Sequence, residues 1–147
     1  METTRGAGQA RPFATLERLL RPDHTFMRFL RFGLVGGSGV VVNMAALWLL
    51  HDELRLAADP AIVLAVGLAI VNNFIWNNFW TFGASGVAAR RVVQFAAISL
   101  VGMAINVAVF KVLLHFGVFY LLADLGGIAV AIVWNFFANS RWTWGDV

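Results

Sequence analysis

Two short stretches of this chain concentrate the side chains that could bind something polar. Val71–Phe82 reads V-N-N-F-I-W-N-N-F-W-T-F, and Val133–Trp144 reads V-W-N-F-F-A-N-S-R-W-T-W. Aligning Asn73 with Asn135 sets Phe74 on Phe136, Asn77 on Asn139, Trp80 on Trp142 and Thr81 on Thr143. Residues at i, i+4 and i+7 share one helical face, so each stretch lines up two carboxamides and an indole. Carboxamides both donate and accept hydrogen bonds, which suits sugar hydroxyls and phosphate oxygens alike. All eight Asn of the chain lie in apolar segments and none in a loop, so solvation does not explain them. Either these amides hold helices together, or they bind a ligand inside an apolar medium.

The elements that position them are membrane spans. The 147 residues are 60% hydrophobic and only 13% charged, with a mean hydropathy of +0.76. A water-soluble domain of this length has no interior large enough to bury that much apolar surface. Four spans are expected: Phe29–Leu50, Ala61–Trp80, Val92–Leu114 and Phe119–Asn139. The first, at about 33 Å, is long enough for a hydrocarbon layer of about 30 Å. Asp59-Pro60 reads as an N-cap followed by proline at the first helical position of the second span. Residues 1–27 form a separate N-terminal segment without the apolar core of a signal peptide. Within it Phe13, Leu16, Leu19 and Leu20 mark either a short amphipathic helix at the headgroup layer or a disordered tail. Nine of the eleven Lys and Arg residues fall in the segment through Arg31, the Gly83–Arg91 loop and the C-terminal tail. The positive-inside rule then puts both termini and the middle loop in the cytoplasm, in a cell (inner) membrane.

The fold expected is therefore all-α and integral to the membrane, with four transmembrane helices in residues 28–147. A shift of 63 sets Phe32 on Phe95, Gly39 on Gly102 and Asn43 on Asn106, and a shift of 62 superposes the Asn-Trp stretches. Two parallel two-helix repeats, 28–82 and 91–144, follow, related by a twofold along the membrane normal. Small-x-x-x-small pairs (Gly33/Gly37, Ala65/Ala69, Ala104/Ala108, Gly127/Ala131) offer close helix approach in each span.

R-F-x-x-V-G near the start of the first span and the N-F-x-x-N-x-x-W-T-[FW] endings resemble those of the GtrA-like family. The resemblance covers roughly Phe26–Trp144. It implies a small inner-membrane protein of cell-surface polysaccharide synthesis that flips a polyprenyl-phosphate-linked sugar. The family also reaches towards membrane subunits that anchor or stabilise polyprenyl-phosphate glycosyltransferases, which is the alternative. A basic residue commonly precedes its final aromatic group. Arg141 supplies one in the second half, whereas Phe79 stands there in the first, so a phosphate site at that position is asymmetric.

Candidate substrate-binding residues are Asn73, Asn77, Asn135 and Asn139, with Asn43 and Asn106 near mid-depth, and Arg141, Trp80 and Trp142 at the cytoplasmic end. Each has a structural reading beside the functional one. The amides serve equally as interhelical glue at about 0.6 to 2 kcal/mol per contact. Trp80, Phe82, Trp142 and Trp144 fit an interfacial aromatic belt as well as sugar stacking. Arg28, Arg31, Arg90 and Arg91 are required by topology, and Arg141, beside the Asn face, is the one best placed to take a phosphate bidentately. Lys111 and Asp124, a turn inside the outer ends of their spans, are expected to pair across the tight hairpin.

The chain lacks cysteine, a metal-ligand cluster, a nucleotide loop and a nucleophile–base set. It is expected not to be an enzyme and to need no cofactor or metal. A small proton-coupled exporter is disfavoured, because the first span carries no acid. The partners expected are a polyprenyl-phosphate-linked sugar and membrane lipid, with a membrane glycosyltransferase and homo-oligomerisation left open and no nucleic acid.

Overall fold

Backbone N–H and C=O groups in hydrocarbon must be satisfied within the chain, and for segments this apolar the helix is the solution. The structure, a computed structural model, describes residues 24–147. The amphipathic helix expected around Phe13–Leu20 lies outside the described residues.

Four helices follow in order: α1 (His24–Trp48), α2 (Ala58–Trp76), α3 (Ala89–His115) and α4 (Tyr120–Ala138). Short π-helical turns extend three of them, Leu49–Glu53 after α1, Asn77–Thr81 after α2 and Asn139–Thr143 after α4. With these extensions, all four are long and apolar enough to cross a membrane. Helix α2 begins two residues earlier than Asp59-Pro60 suggested: Ala57 is the cap, and Asp59 sits in the first turn. There the carboxylate faces the positive helix end, and Pro60 lacks an N–H that would have had no partner.

Helix α1 packs along α2 and α3 along α4, while contacts between the two hairpins are far fewer. Gly117 turns the second hairpin with a φ of 77°, a conformation that costs an L side chain but not glycine. Hairpin packing relies on glycines other than most of those expected. Gly33 and Gly37 of α1 stand in open space, and Ala104 and Ala108 of α3 are exposed. It is Gly39 of α1 that receives the Asn73 carboxamide of α2, and Gly102 of α3 that receives Asn135 of α4. The pairs on α2 and α4 fare better, with Ala65, Gly127 and Ala131 buried.

The hairpins meet in an aromatic cluster near the ends that carry the arginines. Each helix contributes one ring: Phe32, Phe74, Phe95 and Phe136. Phe32 of α1 meets Phe136 of α4 edge-on at 5.7 Å, and Phe95 of α3 meets Phe74 of α2 at 5.8 Å. Phe82 and Trp144 stack between these pairs, 4.2 Å apart and 7° from parallel. Both belong to the core rather than to an interfacial belt; Trp144 is only 2% exposed.

Candidate functional site

The π turns explain why Phe82 and Trp144 point inward. In each, an Asn opens the turn and a Thr four residues on donates its hydroxyl back to the Asn side-chain oxygen. Thr81 Oγ1 donates to Asn77 Oδ1 at 2.9 Å, and Thr143 Oγ1 donates to Asn139 Oδ1 at 2.7 Å. The backbone then closes one residue later than in an α-helix, from Phe82 N–H to Asn77 O at 2.9 Å and from Trp144 N–H to Asn139 O at 3.0 Å. One extra residue per turn swings position i+5 back towards the face of position i. That carries Phe82 and Trp144 into the cluster. It leaves Trp80 and Trp142 on the outside, 43% and 57% exposed.

Asn78, beside the first lock, is buried and joins three parts of the chain. Its amide donates to Gly86 O at 3.1 Å, and its oxygen accepts the Trp144 indole N–H at 3.1 Å. The tail beyond Trp144 is held by Asp146, whose carboxylate meets Arg91 at 3.2 Å and Arg90 at 3.5 Å. The hydrogen bond from Arg91 holds the exposed Asp146 carboxyl below its usual pKa, with help from its own backbone N–H and the charges of both arginines.

Beyond the aromatic cluster the hairpins part, leaving a cleft of about 360 Å³ whose lining includes Asn43, Asn73, Ser99, Asn135, Phe95 and Met103. Asn135 Oδ1 is buried against Gly102 and has no hydrogen-bond partner, an arrangement that costs about 1–3 kcal/mol. Asn73 Oδ1, at the aligned position, accepts from Asn72 Nδ2 at 3.3 Å.

On the outer flank of each hairpin lies a groove. The first, about 330 Å³, runs between α1 and α2 past Leu34, Val35, Ser38, Asn72, Trp76 and Trp80. It shares Trp80 with a more polar recess of about 410 Å³ that also holds Arg28 and Arg31. The second, about 310 Å³, runs between α3 and α4 past Gln94, Ala97, Ile98, Val101, Trp134 and Trp142.

The residues singled out from sequence thus separate into three places. Asn43, Asn73 and Asn135 share the cleft. Asn77 and Asn139 are buried in the π turns, and Asn139 Nδ2 also donates to Asn135 O at 2.8 Å. Trp80 and Trp142 end the two outer grooves. Asn106 stands elsewhere, its side-chain oxygen and backbone carbonyl packed on Gly127 of α4. Arg141 is exposed at the arginine-bearing end and is not part of any of these linings. The expected Lys111–Asp124 pair does not form: among the described residues the ion pairs are those of Asp146, and both residues are exposed.

The sequence profile of the GtrA/DPMS transmembrane domain matches residues 31–144. The chain belongs to this family. Among its relatives is the dolichol-phosphate mannosyltransferase of Pyrococcus furiosus, 36% identical over 129 residues. That alignment takes in 86% of this chain and 36% of the mannosyltransferase, so the chain spans about a third of that protein. The uncharacterized membrane protein YngA of Bacillus subtilis is 26% identical over 117 residues, 79% of this chain and 78% of that one.

In this GtrA/DPMS domain, sequence reasoning missed Asn78, Asn72, Ser38 and the groove side of Arg31. Asn78 breaks the aligned pattern, since Ser140 stands opposite it, and that break was the available signal. Asn72 likewise faces Trp134 in the alignment, and Ser38 faces Val101.

Proposed function

We propose that the chain translocates a polyprenyl-phosphate-linked sugar across the cytoplasmic membrane for cell-surface polysaccharide synthesis, without catalysing a reaction itself. The observation that carries this reading is the amide-lined cleft between the hairpins, into which Asn43, Asn73, Ser99 and Asn135 all face. A sugar phosphate loses its water on entering hydrocarbon and needs replacement partners. Asn43, Asn73, Ser99 and Asn135 offer neutral ones, which can release what they bind more readily than charges can. The polyprenyl tail stays in lipid while the head passes between hairpins that touch sparingly. In this reading the hairpins are parallel repeats, the arginine-bearing end is cytoplasmic, and the aromatic cluster of Phe32, Phe95, Phe136 and Trp144 is the closed cytoplasmic gate. Arg141 gathers the lipid phosphate near that gate.

Reconstitution of the purified chain alone with a fluorescent polyprenyl-phosphate sugar tests the proposal. Transbilayer movement is expected, and Asn135→Leu is expected to slow it about tenfold by removing one partner worth about 1.4 kcal/mol. Movement no faster than in empty vesicles overturns it.

A second reading is favoured by a separate observation: the match to the mannosyltransferase of Pyrococcus furiosus covers only a third of that protein. A domain joined to a transferase in one chain can serve a separate transferase in another. The chain is then a non-catalytic subunit that anchors a polyprenyl-phosphate glycosyltransferase, and co-purification with a transferase in the absence of lipid movement is its signature.

A further inference from the structure

The two outer grooves occupy aligned positions and differ in chemistry. In the polar recess that shares Trp80 with the first, Arg31 lies over the Trp80 ring at 5.7 Å and donates to Trp80 O at 3.4 Å. Arg28 lies over Phe82 at 6.0 Å. Neither arginine has an acidic partner among the described residues, where Asp146 alone is paired. Deeper along the same groove, Leu34, Val35 and Trp76 make an apolar track. It ends where Asn72 Nδ2 donates to Ser38 Oγ at 3.1 Å. In the second groove Gln94 stands at the place of Arg31, Val101 at that of Ser38 and Trp134 at that of Asn72. There Gln94 Oε1 and Trp134 Nε1 are buried with no partner, and no cation lines the groove.

We propose that the α1–α2 groove is the resting seat of a polyprenyl monophosphate, with Arg31 and Arg28 holding the phosphate and the Leu34–Trp76 track holding the first isoprene units. This rests on the function proposed above and assigns to one flank of the molecule the substrate class of that function. Charge and shape together select the occupant. Two guanidinium groups beside an aromatic wall, without an acidic partner among the described residues, match a lipid phosphate, which they can contact bidentately. The track beside them is apolar, lined by Leu34, Val35 and Trp76, which suits the hydrocarbon chain of the carrier lipid in the function proposed above. At its inner end the groove adjoins the cleft through the Asn72–Asn73 hydrogen bond. Occupation of the groove is therefore felt at a cleft amide, whereas Trp134 gives Asn135 no such link. Arg31 acts here as a binding residue and Asn72 as a positioning one.

Photo-crosslinking of the full chain in lipid nanodiscs by a diazirine-bearing polyprenyl monophosphate tests the assignment. Adducts are expected within 28–38 and 72–82, with competition by unlabelled polyprenyl monophosphate but not by polyprenol or phosphatidylglycerol. Arg31→Gln is expected to cut labelling about tenfold, the worth of one charge-assisted contact, and Gln94→Leu to leave it unchanged. The wild-type adduct map stands whether or not the Arg31 variant folds. Adducts chiefly within 94–101 and 134–142, or equal competition by phosphatidylglycerol, overturn the groove assignment and leave the proposed function in place. Absence of phosphate-dependent labelling anywhere removes both.

Discussion

Where Asn72 of α2 bonds Ser38 of α1, the second hairpin sets Trp134 beside a groove wall that has Val101 in place of the serine. Where Arg31 covers Trp80, the second hairpin has Gln94 in the groove that Trp142 closes. Other aligned residues behave alike in both halves. Gly39 takes Asn73 as Gly102 takes Asn135. Thr81 locks Asn77 as Thr143 locks Asn139. Phe32 and Phe95 each cross to a phenylalanine of the other hairpin. Most residues that the halves share build the hairpins, their junction and the cleft, whereas Arg31, Ser38 and Asn72, which they do not share, distinguish the flank of the first hairpin. Asn78 is the exception, an unshared residue that ties the junction.

The strongest test of that division uses the two final tryptophan positions. Trp144 stacks on Phe82 and gives its N–H to Asn78, so Trp144→Ala opens a cavity and strands the Asn78 oxygen. A loss of about 3–5 kcal/mol is expected from such a truncation. Trp142 lies at the surface beside Trp134, 6.2 Å between ring centres, and Trp142→Ala is expected to cost less than about 1 kcal/mol. Unfolding of both variants in the same detergent measures the difference. Equal losses would return Trp144 to the interfacial belt and dissolve the contrast between core and groove.

A smaller effect compares the halves directly. Thr81→Val and Thr143→Val each remove one buried hydroxyl donor to an Asn oxygen, worth about 1 kcal/mol. The two losses are expected to agree within about 0.5 kcal/mol, because the sites are more than neighbours in sequence alignment and share the same local geometry. A cost confined to one half would mean that only one π turn is held by its threonine.

Much of this was legible before the structure. The four spans follow from apolar length alone, since lipid leaves the backbone no alternative to the helix. The Asn-Trp stretches were legible as special, and Asn73 and Asn135 do meet at one cleft with Asn43. What sequence periodicity could not supply is the extra residue in each π turn. A helix counted at constant pitch sends Phe82 and Trp144 to the interface with Trp80 and Trp142, and the π turns that close with the late hydrogen bonds from their N–H groups to the Asn77 and Asn139 carbonyls send them inward instead. Asn78 was hidden for the same reason, because its indole partner lies 66 residues away and reaches it only after that rotation. Asn106 parts from Asn43 despite their alignment, since equal depth does not fix equal facing: Gly127 gives its carbonyl and side-chain oxygen a close seat on α4, as interhelical glue would. Lys111 and Asp124 were paired on the strength of their depth in the spans, and the structure leaves them apart, each exposed on its helix.

The smallest effect expected concerns the tail, where the halves differ again: Gly83 leads from the second π turn into a loop, while Gly145 leads from the third to a carboxylate clamp. Asp146 binds Arg91 and, more distantly, Arg90 at the start of α3, which fastens the end of the second hairpin to its own beginning. The folded state lowers the Asp146 pKa, chiefly through the Arg91 hydrogen bond. A carboxylate with a depressed folded pKa adds stability that is fully present above its unfolded pKa and disappears as the pH falls through the folded one. Wild type is therefore expected to melt slightly above Asp146→Asn at neutral pH, and the gap should close once the pH drops below the folded value, in the acidic range where both chains carry a neutral side chain at 146. The Asp146 carboxylate is exposed and salt screens it, so the gap at neutral pH should also shrink as ionic strength rises. Melting curves of the two proteins across pH and salt decide the matter. A gap that persists in acid, or that ignores salt, would show the aspartate acting through its backbone hydrogen bonds rather than through the arginines, and the clamp between tail and α3 would not exist as a charge interaction.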